Sequence, residues 1–118
     1  MAEANGRVAR MLNQAAAAIL VCGDLDRAFP PAPDFWVIDA AIAAQNMTLA
    51  ANDLGIGSVW LGTWPDEKRV KRQATIFQLP ETIVPHSILA LGYPAEDIDM
   101  RAVRPSRYEE NRVHVNQW

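Results

Sequence analysis

Two glycines in the middle of the chain, Gly55 and Gly57, have spacing that suggests a turn for binding nucleotide phosphates. Such a turn needs a strand before the glycines and a helix after them, because the helix N-terminus must meet the phosphate. Here the order is reversed, since a helical pattern precedes Gly55 and an apolar strand pattern follows Gly57. The sequence therefore predicts a glycine that ends a helix, followed by a tight turn.

The residue types that hold metals or act as nucleophiles are few and scattered. Cys22 lies in an apolar run with no histidine nearby in sequence, which favours a buried, inert thiol. Neither His86 nor His114 has a second ligand at metal-binding spacing, and Asp24 with Asp26 supplies too few acids for a calcium loop. We therefore expect neither a metal centre nor a nucleophilic cysteine.

Basic and aromatic side chains offer two further candidates for binding. Four of the five residues from Lys68 to Arg72 are basic, but no aromatic residue interleaves them, which favours a solvated helix face. The indoles of Trp60, Trp64 and Trp118 could stack on an aromatic ligand, although packing in a core or interface is their commoner role. These residues alone assign no reaction.

Composition narrows the class of protein. A chain of 118 residues, half of them hydrophobic, suits one domain with a real core. The net charge of −3 provides no field that would attract nucleic acid or anionic membranes. No apolar run reaches the roughly 18–20 residues of a membrane-spanning helix. Since one cysteine cannot form an internal disulfide and no export signal is recognised, we expect a cytoplasmic protein.

Hydrophobic periodicity predicts a mixed α+β arrangement within a single domain that spans residues 1–118. A proline-rich loop follows the first strand, and Asp34 is expected to cap the long helix after it. The predicted elements are a short or frayed helix over Ala2–Gln14, strand Ala18–Cys22, a long helix over Phe35–Leu54, strand Val59–Leu61, a helix from Pro65 to Leu79, and strand Ile83–Leu91.

The long helix is predicted to be buried almost all round. Ile38, Ile42, Leu49 and Leu54 are interleaved with alanines, so apolar side chains lie on nearly every face. A chain of this size can hardly surround such a helix, and we expect a second subunit to cover part of it. The weakly alternating tail Arg112–Trp118 could add a strand to a neighbour's sheet edge.

Three segments together resemble the nitroreductase family in order and spacing. The first runs from Trp36 to Gly62 and ends in LGIGSVWLG, and the second, Leu79–Glu96, ends in ALGYPAE. The third runs from Arg107 to Trp118 and places an Arg-Val-His triplet four residues before the final tryptophan. The resemblance covers roughly residues 10–118, which is about the C-terminal two-thirds of the usual domain.

This resemblance implies a central antiparallel sheet flanked by helices and built into an intertwined homodimer. Family members bind FMN at the subunit interface. They pass a hydride from NADH or NADPH through the flavin to nitroaromatics, quinones or related acceptors. The long helix would then form the dimer core, and the final residues would reach across to the partner.

The resemblance also implies positions for cofactor binding. Leu61 and Gly62 match the place where backbone N–H groups face the flavin N5 and O4. Arg107 matches a basic position near the C-terminus that pairs with the FMN phosphate, a role that suits a guanidinium fork. No catalytic side chain is implied. The full set of implied cofactor-binding residues is Trp60, Leu61, Gly62, Arg104, Arg107 and Arg112.

The sequence departs from the family's pattern at its start. Residues 1–14 contain neither the family's arginine-rich phosphate motif nor the later loop that supports the flavin ring. Two functions of different classes therefore stay open. One is an FMN-dependent oxidoreductase whose site is completed by the partner subunit or by rearranged segments. The other is a truncated, non-catalytic, dimerising member that binds flavin weakly or not at all.

Overall fold

The computed structural model describes residues 1–99, 102 and 105–118. Within them, three strands form one antiparallel sheet: β1 (Ala17–Asp24), β2 (Gly57–Gly62) and β3 (Ile83–Gly92). Strand β3 is central and pairs with both neighbours, giving the order β1-β3-β2. The predicted strands are all present, each slightly longer than the apolar run that indicated it.

Helices lie on both faces of this sheet, so the predicted α+β class is confirmed. They are α1 (Ala2–Asn5), α2 (Trp36–Asp53) and α3 (Glu67–Phe77), together with short 3-10 helices at Arg7–Asn13, Leu25–Arg27, Pro33–Phe35 and Glu110–Arg112. Within the described residues the C-terminal tail contains only the last of these turns and no strand.

The two ends of α2 differ in how well the sequence predicted them. Asp34 does not cap the helix, because it lies inside the 3-10 turn that leads directly into α2, where no side-chain capping bond forms. The C-terminal end is confirmed. Gly55 adopts a left-handed φ of 72°, and the Ile56 N–H donates to the Ala51 carbonyl at 2.8 Å. Glycine suits that backbone conformation because it has no Cβ.

The core has two parts, one on each face of the sheet. The α2 side buries Val21, Trp36, Ala40, Ala44 and Leu89. The N-terminal side buries Ala9, Leu61, Ile88 and Ala90. Successive residues of a strand point to opposite faces, so the central strand is buried on both. This explains why its sequence is a continuous apolar run rather than an alternating one.

Helix α2 buries Trp36 and a row of alanines and leaves most of its large aliphatic side chains exposed. Ala44 is fully buried against the sheet, whereas Ile38, Ile42 and Leu49 are 54%, 55% and 59% exposed. A single chain therefore buries one face of α2, and the prediction of a helix buried almost all round is not met by one chain. We call the outer surface formed by Phe35, Ile38, Ile42 and Leu49 the outer α2 face.

A β-bulge interrupts the pairing of β1 with β3. Val21 lies opposite Ser87 and Cys22 opposite Pro85, so His86 is the extra residue on β3. Proline lacks an N–H to contribute to the ladder and is found in sheets mainly at edges and bulges. The position of Pro85 next to this bulge fits that preference.

The bulge turns the His86 imidazole toward the face on which α2 lies. The imidazole centroid is 5.9 Å from the Trp36 ring and 6.1 Å from the Trp60 ring. His86 is only 7% exposed, and its Nδ1 lies 3.1 Å from the Ser87 Oγ. Burial lowers the pKa of this imidazole, so the ring is neutral at pH 7. Burial also raises the pKa of the half-buried Cys22 thiol, which stays protonated.

His86 should make the protein less stable in mild acid. Below pH ~6.5 the unfolded chain gains a proton at this histidine that the folded chain resists. Stability should therefore hold above about pH 7 and fall as the pH drops from there toward 5. Urea midpoints measured across this range should show a smaller loss for His86→Gln. The exposed His114→Gln variant is the control and should follow the parent chain. If the urea midpoints of all three chains fell equally with pH, His86 would not be the group responsible for the loss.

The Trp36 indole lies directly against the backbone of β1. A Cβ built on Gly23 would lie 2.2 Å from the Trp36 Cε3, a distance at which the ring must move. Because Trp36 is the first residue of α2 and only 8% exposed, this contact sets how closely the helix approaches the sheet.

Gly23→Ala should therefore destabilise the fold by about 1–3 kcal/mol, the usual cost of overpacking a core. The measurement is the urea midpoint, read by tryptophan fluorescence. Gly92→Ala is the matched control, since a Cβ there meets no atom within 4 Å and the residue also lies in a strand. Similar midpoints for the two variants would show that the Trp36 contact does not limit packing.

Candidate functional site

A short turn after β2 forms one wall of the candidate site. The Thr63 and Trp64 N–H groups both donate to the His86 carbonyl, at 3.1 Å and 2.9 Å, which ties the turn to the bulge. A cis peptide bond joins Trp64 to Pro65. Asp66 then caps α3 by accepting the N–H groups of Lys68 and Arg69.

A cavity of about 610 Å³ opens between α2, the end of β2 and the bulge. This volume lies in the range of small-molecule sites, which are mostly apolar with a few polar groups. We call it the aromatic cavity. Its lining residues are Val37, Ala41, Trp60, Gly62, Trp64, Pro65 and His86.

Three indole rings, those of Trp36, Trp60 and Trp64, lie at or behind the wall of the aromatic cavity. Trp36 meets Trp64 edge-on, with ring centroids 5.1 Å apart and planes at 71°. Trp60 and Trp64 are each 39% exposed, so part of each indole remains available for contact. A neutral His86 completes the wall without adding charge. The arrangement suits a flat aromatic ligand, because indoles combine apolar area with a preference for stacked or edge-on rings.

The end of β2 also offers a backbone donor. Because the Thr63 N–H pairs with β3, the preceding Gly62 occupies a position whose N–H and carbonyl point away from β3. Strand β2 is an edge of the described sheet, so these groups face outward. A Cβ at Gly62 would meet nothing closer than 3.9 Å, so the missing side chain leaves open space beside the backbone.

The structure brings the β2 candidates together and leaves the tail candidates apart. Trp60 and Gly62 line the aromatic cavity, whereas the Leu61 side chain is buried on the opposite face and its backbone alternates toward β3. Arg107 and Arg112 are exposed and do not line the cavity in this chain. Arg112 instead pairs with Glu109 at 2.7 Å. Arg104 lies outside the described residues.

Two cavity residues were not assigned to a site by the sequence. The sequence marks Trp64 only as one of several indoles, and it marks His86 only as a possible metal ligand. The one sequence signal for the bulge that redirects His86 is Pro85, a proline inside a strand pattern. No cluster of three or more metal-ligating side chains forms among the described residues. In the same part of the chain, no helix is long and apolar enough to cross a membrane.

Comparison with known proteins gives a relationship over most of the chain. The Nitroreductase family model matches residues 3–93. A relative from Methanothermobacter thermautotrophicus, provisionally named NADH dehydrogenase/NAD(P)H nitroreductase, is 41% identical over 108 residues. That match covers 92% of this chain and 53% of the relative, so the chain spans about half the length of that protein.

Solved structures agree with this relationship. A protein from Clostridium acetobutylicum, provisionally named NADH oxidase, superposes with a TM-score of 0.86 and 32% identity, over 97% of this chain and 66% of the other. An FMN-dependent nitroreductase from Clostridium difficile superposes with a TM-score of 0.73 and 27% identity, over 88% of this chain and 59% of the other. The family resemblance is thereby confirmed, and the chain belongs to the nitroreductase family.

Proposed function

We propose that the chain forms an FMN-dependent oxidoreductase that passes a hydride from NADH or NADPH to nitroaromatic, quinone or related acceptors. The aromatic cavity beside an outward-facing Gly62 backbone is the observation that carries this proposal. Membership of a family whose relatives are named for NAD(P)H and FMN supports it.

The flavin ring suits the aromatic cavity in shape and chemistry. Trp60 and Trp64 offer indole surface to a flat ring, and Val37 with Ala41 supplies an apolar floor from α2. The N–H of Gly62 would donate to the N5 and O4 edge of the ring. The backbone of Leu61 alternates toward β3, so Leu61 would hold Gly62 in place rather than donate to the ring. Bound FMN supplies the hydride-accepting centre, and the protein orients it and sets its electrostatics. A fixed backbone donor stabilises charge that develops at that edge.

The phosphate would be held by the tail arginines. Arg107 is the proposed partner, with Arg104 and Arg112 as alternatives, because a guanidinium can bind phosphate with two parallel hydrogen bonds. Arg107 is exposed in this chain and does not line the cavity. The phosphate contact would therefore form when the tail packs on a second copy or folds against its own cavity.

A homodimer would cover the outer α2 face. Ile38, Ile42 and Leu49 are each more than half exposed, and Trp118 in the tail is fully exposed. An apolar surface of this kind marks an interaction site on a soluble domain. Two copies that pack through α2 would bury it and bring each tail close to the other subunit.

A second candidate function is a dimerising family member without catalysis. The observation that favours it is the separation of the tail arginines from the aromatic cavity, which leaves no cation in the cavity lining. Such a protein would keep the fold and the dimer interface and would retain little or no flavin.

Visible absorption separates these two functions. The purified chain, mixed with FMN and freed of excess, should retain flavin in near-equal ratio to chains and should then oxidise NADH or NADPH. Arg107→Ala should weaken FMN binding ~10–100-fold, because hydrogen bonds to charged groups contribute roughly 1.5–3 kcal/mol. Arg27→Ala, at another exposed arginine, should leave the affinity unchanged. A colourless chain that retains no added FMN would support the non-catalytic member instead.

The dimer can be tested at the outer α2 face. Light scattering after size exclusion should give twice the chain mass of 13.1 kDa. Ile42→Glu should weaken dimerisation at least ~30-fold, because a buried carboxylate without a partner is strongly disfavoured. Ile76→Glu on α3 is the control, being similarly exposed at 50% but on another element. A dimer unaffected by Ile42→Glu would place the interface elsewhere.

A further inference from the structure

The Gly62 carbonyl is held by two side chains from distant elements. Asn5 Nδ2 donates to it at 3.1 Å from the end of α1, 57 residues away in sequence. Arg69 Nη1 donates to the same oxygen at 3.1 Å from the first turn of α3. The Thr63 hydroxyl in turn donates to Asn5 Oδ1 at 2.9 Å. The side-chain amide of Asn5 thus bonds Gly62, the last residue of β2, and Thr63, which follows it.

Burial and further contacts restrict the side chains of Asn5, Thr63 and Arg69. Asn5 is 0% exposed and Thr63 is 1% exposed, and a buried amide is costly unless its polar atoms are bonded. Arg69 also pairs with Asp66, the cap of α3, at 3.2 Å. This second contact limits the freedom of the guanidinium, although the side chain is 35% exposed.

Helix α1 is itself anchored to α3, which secures Asn5. The fully buried Gln73 donates from Nε2 to the Met1 carbonyl at 2.9 Å. A four-residue helix has little stability of its own, so this contact and the Asn5 bonds must hold it against the rest of the fold. The N-terminal segment is therefore docked at the end of β2 by these polar bonds together with the apolar packing of Ala9.

The peptide group between Gly62 and Thr63 is restrained at both ends. Its carbonyl accepts from Asn5 and Arg69, while its N–H donates to the His86 carbonyl at 3.1 Å. Glycine has the widest backbone freedom of any residue. At the end of an edge strand, an unrestrained glycine would hold its N–H in no single orientation. Holding the carbonyl restricts ψ at Gly62 and with it the orientation of the donor.

We propose that Asn5, which is itself held by Thr63, and Arg69 are positioning residues that share the Gly62 carbonyl and hold the Gly62 N–H toward the N5 edge of the flavin. This inference rests on the proposed function, since the flavin is the ligand that Gly62 would meet. Asn5 and Arg69 act through Gly62 and do not line the aromatic cavity. Pre-organising a donor in this way avoids reorganisation when charge develops on the ligand.

Amide hydrogen exchange of Thr63, followed by NMR in the full chain without FMN, tests the restraint itself. Asn5→Ala and Arg69→Met should each raise the Thr63 exchange rate ~10-fold, with Ile88 in the core unchanged. Thr63→Val keeps the side-chain shape and serves as a third variant should Asn5→Ala fail to fold. Asn13→Ala and Lys71→Met, both exposed, are the matched controls and should exchange like the parent chain. Unchanged protection of the amide at position 63, after correction for the intrinsic exchange rate, in both Arg69→Met and Thr63→Val would overturn the inference.

The FMN-loaded chain tests the consequence for the flavin. Arg69→Met should lower kcat ~10-fold with KM for the nicotinamide within twofold, and should shift the bound-flavin absorption, while Lys71→Met should do neither. Faster exchange with an unaltered flavin spectrum and kcat would overturn the positioning role. Failure of the parent chain to retain FMN would count against the proposed function separately, and exchange at Thr63 would then decide alone whether Asn5 and Arg69 hold Gly62.

Discussion

The His86 carbonyl joins the two halves of the site, and the rest of the arrangement depends on it. By accepting the N–H groups of Thr63 and Trp64, this one oxygen closes the turn after β2 onto the bulge in β3. The bulge also turns the His86 ring toward α2. Without the extra residue in β3, strict alternation would turn this ring to the opposite face, and the cavity would lose part of its wall.

The size of side chains on α2 decides what each face of the helix can do. Small residues such as Ala40 and Ala44 let the helix lie close to the sheet, and Gly23 lets the Trp36 indole lie against β1. The large aliphatic residues are consequently left on the outer α2 face. One helix thus supplies both the floor of the aromatic cavity and an apolar surface suited to a second copy. A shift of α2 on assembly would therefore also change the cavity.

Periodicity predicted the strands and the two longer helices, and the resemblance predicted a site at the end of β2, because local sequence carries both signals. The bulge was not predicted, since a one-residue shift in register barely alters an apolar run that is buried on both faces. Nor was Asn5, because its bonds to Gly62 and Thr63 join residues more than 50 positions apart. The Asp34 cap was wrong because a 3-10 turn already carried the chain into helical geometry.

The ring-binding and phosphate-binding parts of a flavin site differ here in how they are built. The ring side of the proposed site would rest on α2, β2 and the bulge, whose contacts lie within one chain and include a buried polar network around Gly62. The phosphate side would depend on an arginine in an exposed tail, and an exposed cation gains little until a partner or a second copy orders it. Stacking and backbone donation can therefore persist where phosphate binding is lost. The proposed oxidoreductase and the proposed non-catalytic member would then share one fold and differ mainly in whether Arg107 reaches the phosphate.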